Sequence, residues 1–171
     1  MMYFEQKLTD KQILDEFIQL VENNEQQEVL INKVEPARLS APQHEVKGFI
    51  YRRFTGRRLI DVLESEDNYK YILNNTNIYI HNMHNHIWYK KIEDRHEMEL
   101  EMIDRLIKLI NRKNKIIINT FMPTDNSNIK KYMELLKIDK VFFLYILNKH
   151  KDVLREQLKV AGDGQYLILS A

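Results

Sequence analysis

The apolar residues of this chain fall in short segments, some at helical and some at strand spacing, and that alternation restricts it to a mixed α/β fold. The longest uninterrupted apolar run is Val141 to Leu147. It suits one buried strand and falls far short of the roughly 20 residues that cross a bilayer. The chain has no cysteine, so disulfides, thiolate metal sites and cysteine catalysis are excluded together. A hydrophobic core has to hold it, and 171 residues at 44% apolar content are enough for one domain over 1–171. No basic segment followed by an apolar stretch opens the sequence, so the expected location is the cytoplasm, with no membrane partner.

Along the chain, Thr9 and Gln12 form a capping box, and Ile13, Leu14, Phe17, Leu20 and Val21 keep helical spacing to Asn24. Residues 28–34 and 46–54 read as strands, and 35–43, with Pro36 and Pro42, as loop. Residues 57–73 have a helical stripe. Residues 76–81 and 86–92 predict a hairpin, and 93–112 a long helix. The run at 115–121, with Ile116, Ile117 and Ile118 in succession, predicts a strand covered on both faces. A short helix over 126–136, the apolar run 141–147, a strand at 153–160, a turn at 161–164 and a closing strand at 165–170 follow, and apart from the apolar run the order is α-β-β-α-β-β-α-β-α-β-β.

Lys and Arg number 26 against 25 acidic residues, so any basic site must be local. The densest patch is Arg52, Arg53, Arg57 and Arg58 around Thr55–Gly56. It is either a phosphate site at a helix start or a solvated turn whose arginines pair with acids such as Asp61 and Glu64. Trp88 and Tyr89 beside Lys90 and Lys91 offer an aromatic-basic surface for nucleic acid, or place Trp88 in the core.

The stretch from Phe121 to Leu135 (Phe-Met-Pro-Thr-Asp-Asn-Ser-Asn-Ile-Lys-Lys-Tyr-Met-Glu-Leu) resembles the V-x-P-x-N-x-x-A-I-x-L-Y-E-K-L-G-F segment of the GCN5-related N-acyltransferases (GNAT). Pro123, Ile129, Tyr132 and Leu135 fall in register, Asp125 stands at the usual Asn, and Leu136–Lys137 replaces Gly-Phe. The tail from Val153 to Ser170 is similar to the family's charged strand, turn and apolar strand. The resemblance implies a central mixed β-sheet flanked by helices, with acetyl-CoA or another acyl-CoA as cofactor. Its expected function is transfer of an acyl group to an amine on a small molecule or protein. It also implies a homodimer through the C-terminal strands.

By the same resemblance Tyr132 is the acid that protonates the leaving thiolate, or else a tyrosine packing its helix onto the sheet. His86 on the central strand, or Glu93 at its end, is the candidate base. Ile92, Asp94, Arg95 and Asn128 are the candidate cofactor-binding residues, with the amides near 92–94 orienting the acyl carbonyl. Met98 and Leu100 stand where the family's pyrophosphate loop has glycine, and Glu97, Glu99 and Glu101 add negative charge there. These departures point to a competing expectation, a non-catalytic binding or assembly protein on the same fold. A nucleic-acid-binding protein using the Arg52–Arg58 patch is the third. His81, His84, His86 and His96 carry no familiar zinc spacing, so a solvated hairpin is expected and no metal site.

Overall fold

Thr9 and Gln12 open the first helix as a reciprocal pair: the Gln12 N–H donates to Thr9 Oγ1 (3.2 Å) and the Thr9 N–H to Gln12 Oε1 (2.9 Å). The computed structural model describes residues 9–23, 27–33, 56–82 and 84–171, with side chains from 58 onward in the third of these stretches. The expected strand at 46–54, the loop at 35–43, and Arg52, Arg53 and the Arg57 side chain lie outside the described residues. The chain divides into two compact units, Met1–Glu93 and Asp94–Ala171.

In the first unit, helix α1 (Asp10–Asn23) buries Ile13, Leu14, Phe17 and Val21. Strands β1 (Glu28–Asn32), β2 (Ile78–Asn82) and β3 (His86–Lys91) form an antiparallel sheet in the order β1-β3-β2. β2 and β3 are the predicted hairpin. Phe17 meets the Tyr89 ring edge-on at 4.9 Å, joining α1 to the inner face of the sheet. The expected single helix at 57–73 is two, α2 (Gly56–Glu64) and α3 (Glu66–Asn75). Ser65 is extended at the break, and the Asn68 side-chain amide donates to the Val62 carbonyl (2.8 Å), which satisfies an orphan acceptor at the end of α2. Arg58 approaches Asp10 at 3.9 Å in an exposed ion pair.

The second unit begins with helix α4 (Arg95–Lys113). The Asp94 carboxylate caps it by accepting the Glu97 N–H (3.1 Å). Strand β4 (Lys115–Asn119), a 3₁₀ turn (Pro123–Asp125) and helix α5 (Ser127–Leu136) follow, the last capped by the Asn126 side chain on the amides of Asn128 and Ile129. Next come α6 (Lys140–Lys149), α7 (Lys151–Gln157), β5 (Lys159–Gly162) and β6 (Tyr166–Ser170). The sheet is antiparallel in the order β4-β6-β5. At its β5–β6 turn the Asp163 carboxylate accepts the N–H groups of Gln165 and Tyr166, each at 2.9 Å, and these bonds hold its pKa below the ordinary value.

Two expected strands are therefore helical. The run 141–147 lies in α6, where Asp139 accepts the Phe142 N–H (2.9 Å) and Phe142, Phe143, Ile146 and Leu147 are buried. A fully apolar run has no period of its own, and the Asp139 cap together with the i, i+4 pairs Phe142–Ile146 and Phe143–Leu147 decides for helix. Residues 153–160 are mostly α7, and only the short β5 is strand. Strand β4 is covered on one face, since Ile116 and Ile118 are buried while Ile117 is 46% exposed. The chain is of mixed α and β class with seven helices among the described residues. The described strands form two three-stranded sheets, so β3, α4 and β4 keep the expected chain order with β3 in one sheet and β4 in the other. Among the described residues no helix is long and apolar enough to cross a membrane.

Candidate functional site

Two stripes in the second unit face a common groove of about 750 Å³. On α4 the stripe is Arg105, Lys108, Leu109 and Arg112, at i, i+3, i+4 and i+7; on α5 it is Asn128, Lys131, Tyr132 and Leu135 at the same spacing. Leu109, Tyr132, Leu135 and Leu136 supply the apolar wall, and Leu135 is 79% exposed. The cations are Arg105, Lys108, Arg112, Lys113 and Lys131, and among the described residues no carboxylate lines the groove. Lys108 also meets Asp104 at 2.9 Å in an exposed i, i+4 pair worth a few tenths of a kcal/mol. The α4 macrodipole accounts for Arg112 and Lys113 in the last turn. It does not account for Arg105, or for Lys131 on the other helix.

Of the residues singled out in the sequence, Asn128 and Tyr132 meet at this groove. Tyr132 is 6% exposed and its hydroxyl donates to the Met102 carbonyl at 2.5 Å. Burial pushes the phenol well above its ordinary pKa, and the nearby Arg105 charge offsets this only in part. The hydroxyl thus ties α5 to α4. Tyr132→Phe is expected to lower the stability of the second unit by about 1 kcal/mol, the net worth of one buried hydrogen bond, read as faster amide exchange in α5.

The other candidates lie elsewhere. His86 is half-buried at the start of β3, and Glu93 is exposed beyond its end. The Ile92 N–H, expected to orient an acyl carbonyl, donates to the Asn77 carbonyl at 3.1 Å. Asp94 is consumed as the α4 cap, so the anion at that helix start is the protein's own carboxylate. Trp88 is half-buried rather than in the core, with the His81 ring at 6.4 Å and Lys90 over its face at 5.5 Å.

Arg95 turns inward to a buried ionic cluster. Its Nε donates to Glu99 Oε2 (2.8 Å), while Glu99 Oε1 meets Lys149 Nζ (2.9 Å) and His150 Nε2 (2.8 Å). Arg95, Glu99 and His150 are all buried, Glu99 at 0% exposure. Arg95 and Lys149 also lie over the Tyr145 ring at 5.8 and 5.6 Å. Burial raises the Glu99 pKa, but the hydrogen bonds from Arg95, His150 and Lys149 and the Arg95 charge outweigh it, and the net shift is downward. His96 joins the rim, its ring centroid 5.2 Å from that of His150.

The sequence held signals for part of this. The basic residues at 105, 108 and 112 repeat along one helix face, and Arg95–Glu99 is an i, i+4 pair. Nothing local announces His150, which comes from 51 positions further on to meet Glu99. Comparison with protein-family models, with curated proteins and with solved structures finds no match to this chain.

Proposed function

We propose that the chain is a binding module whose second unit takes an amphipathic anion of the acyl-CoA class in the groove between α4 and α5. The observation that carries this reading is the groove wall, five cationic side chains beside four apolar ones with no carboxylate among them. An acyl chain would lie on Leu109, Leu135 and Leu136, and phosphate groups would meet the guanidinium and ammonium groups above them. The volume of about 750 Å³ falls within the range of sites that enclose small molecules.

Acyl transfer from acetyl-CoA to an amine, on a GNAT-like fold, is the second reading. One observation favours it: Asn128 and Tyr132, which the family resemblance assigns to the cofactor and to the leaving thiolate, both line this groove. It requires in addition a base beside the amine, and neither a carboxylate nor a histidine stands among the residues of the groove wall.

Calorimetric titration with dodecanoyl-CoA, acetyl-CoA and free CoA tests both. Dodecanoyl-CoA is expected to bind at least about tenfold more tightly than acetyl-CoA, because the buried chain adds apolar area at about 25 cal/mol per Å². Leu135→Asp should remove that preference. No binding of any of the three overturns the groove reading. For the second reading, acetyl-CoA is mixed with a panel of amines and released thiol is followed with a thiol reagent. The chain has no cysteine, so the protein itself gives no background. No amine-dependent thiol release overturns acyl transfer.

A further inference from the structure

We propose that His96, Glu99 and His150 form a site for a borderline divalent transition metal ion, zinc in the first place. His96 and Glu99 stand at i and i+3 in the first turns of α4 and share a face, and His150 arrives from the end of α6. One ligand atom from each lies within 4.8 Å of the others, and among the described residues no other such group of three occurs.

The donor set selects the ion. Two imidazoles and one carboxylate suit zinc and its neighbours, whereas calcium and magnesium require a shell of oxygens. Three protein ligands on a tetrahedral ion leave the fourth position for water. At bond lengths of about 2.0 Å, tetrahedral ligand atoms stand about 3.3 Å apart. Glu99 Oε1 and His150 Nε2, at 2.8 Å, need only open slightly around an ion. His96 has further to come, and it is exposed, so its ring can turn without disturbing the core.

Two further observations point to a cation at this place. Arg95 holds Glu99 Oε2 from the far side, which fixes the carboxylate so that Oε1 faces the imidazoles, as an outer partner does for a metal-binding carboxylate. A positive charge already rests on Oε1, the Lys149 ammonium at 2.9 Å. That side chain is 34% exposed and can withdraw toward solvent. Lys149 is thus the competitor that the ion displaces, and Arg95 and Lys149 together moderate the affinity by repulsion.

Calorimetry with Zn²⁺ and visible spectroscopy with Co²⁺ test the site. Wild type is expected to bind one equivalent of Zn²⁺, to give the absorption bands of four-coordinate Co²⁺, and to be indifferent to Mg²⁺. His96→Ala, an exposed change that leaves the fold intact, should weaken Zn²⁺ at least about tenfold. Lys149→Met should tighten it at least about tenfold, since a like charge within a few ångströms of the ion is removed. The proposal is overturned if wild type binds no Zn²⁺, or if His96→Ala binds it unchanged. Binding lost instead on replacing His84 and His86 also overturns it, by moving the ion to the hairpin.

Discussion

Glu99→Ala is expected to destabilise the second unit by about 3–5 kcal/mol, the cost of removing one partner from a buried ion pair. Both oxygens of this carboxylate are in use, Oε2 by Arg95 and Oε1 by Lys149 and His150. Arg95 is 2% exposed, and a guanidinium cannot shed its charge at any ordinary pH. Stripped of its carboxylate, it must be hydrated at the expense of the packing around Tyr145, or remain buried at high cost. The only tryptophan, Trp88, lies in the first unit, so its fluorescence reports the wrong half of the chain. Segment-resolved hydrogen exchange is the suitable measurement. Amides of α4 and α6 should exchange about two to four orders of magnitude faster in the variant. Asp104→Ala, which breaks the exposed pair with Lys108, should change exchange by less than about 0.5 kcal/mol. If Glu99→Ala resembles Asp104→Ala, the cluster is not holding the unit together. Exchanging Arg95 and Glu99 together for methionines should recover part of the loss, because the stranded charge is then gone.

The same carboxylate sets a pH dependence. The Glu99 pKa is lower folded than unfolded, so its contribution is fully present above the unfolded value near 4.5 and is lost as pH falls through the folded value. Stability of the second unit should therefore decline with acid in that window. In Glu99→Gln that part of the decline should vanish, and an acid-unfolding profile that is unchanged would refute the assignment.

Lys108→Glu combined with Arg112→Glu is expected to weaken dodecanoyl-CoA binding by about two orders of magnitude. Each reversal replaces an attraction to phosphate with a repulsion, and near a protein surface such a change is worth roughly 1 kcal/mol or more per site. The difference from wild type should shrink toward 1 M salt, where the screening length falls to about 3 Å. Helix α4 should survive. A carboxylate at position 108 would face Asp104, and one at position 112 would sit near the negative end of the helix. Together they cost about 1 kcal/mol, which a circular dichroism spectrum and melt would register as a small shift. Equal affinity of the double variant and wild type would remove the groove from consideration, while leaving the histidine–carboxylate cluster untouched.

Local chemistry determined a good deal of this protein. The Thr9–Gln12 box, the helix at 10–23, the hairpin of β2 and β3, the long helix from 95 and the short one to 136 all follow from caps and periodicity confined to a few neighbouring residues. The spacing of Arg105, Lys108 and Arg112 already puts positive charge on one face of α4. Where the apolar pattern carries no period, the sequence misleads. The run from Val141 to Leu147 reads as a strand because uniform hydrophobicity carries no period, and its helix rests on the Asp139 cap and on the neighbours that bury Phe142 and Phe143. Ile117 reads as buried because it stands between two isoleucines, yet the sheet is covered on only one side. The groove exists because α5 lies against α4, and the ionic cluster exists because the end of α6 brings Lys149 and His150 to Glu99. Those meetings join residues about 20 to 50 positions apart, and no local rule of capping, spacing or composition encodes them. They are decided by the packing of the whole second unit, where the apolar stripes of several helices must be buried at once.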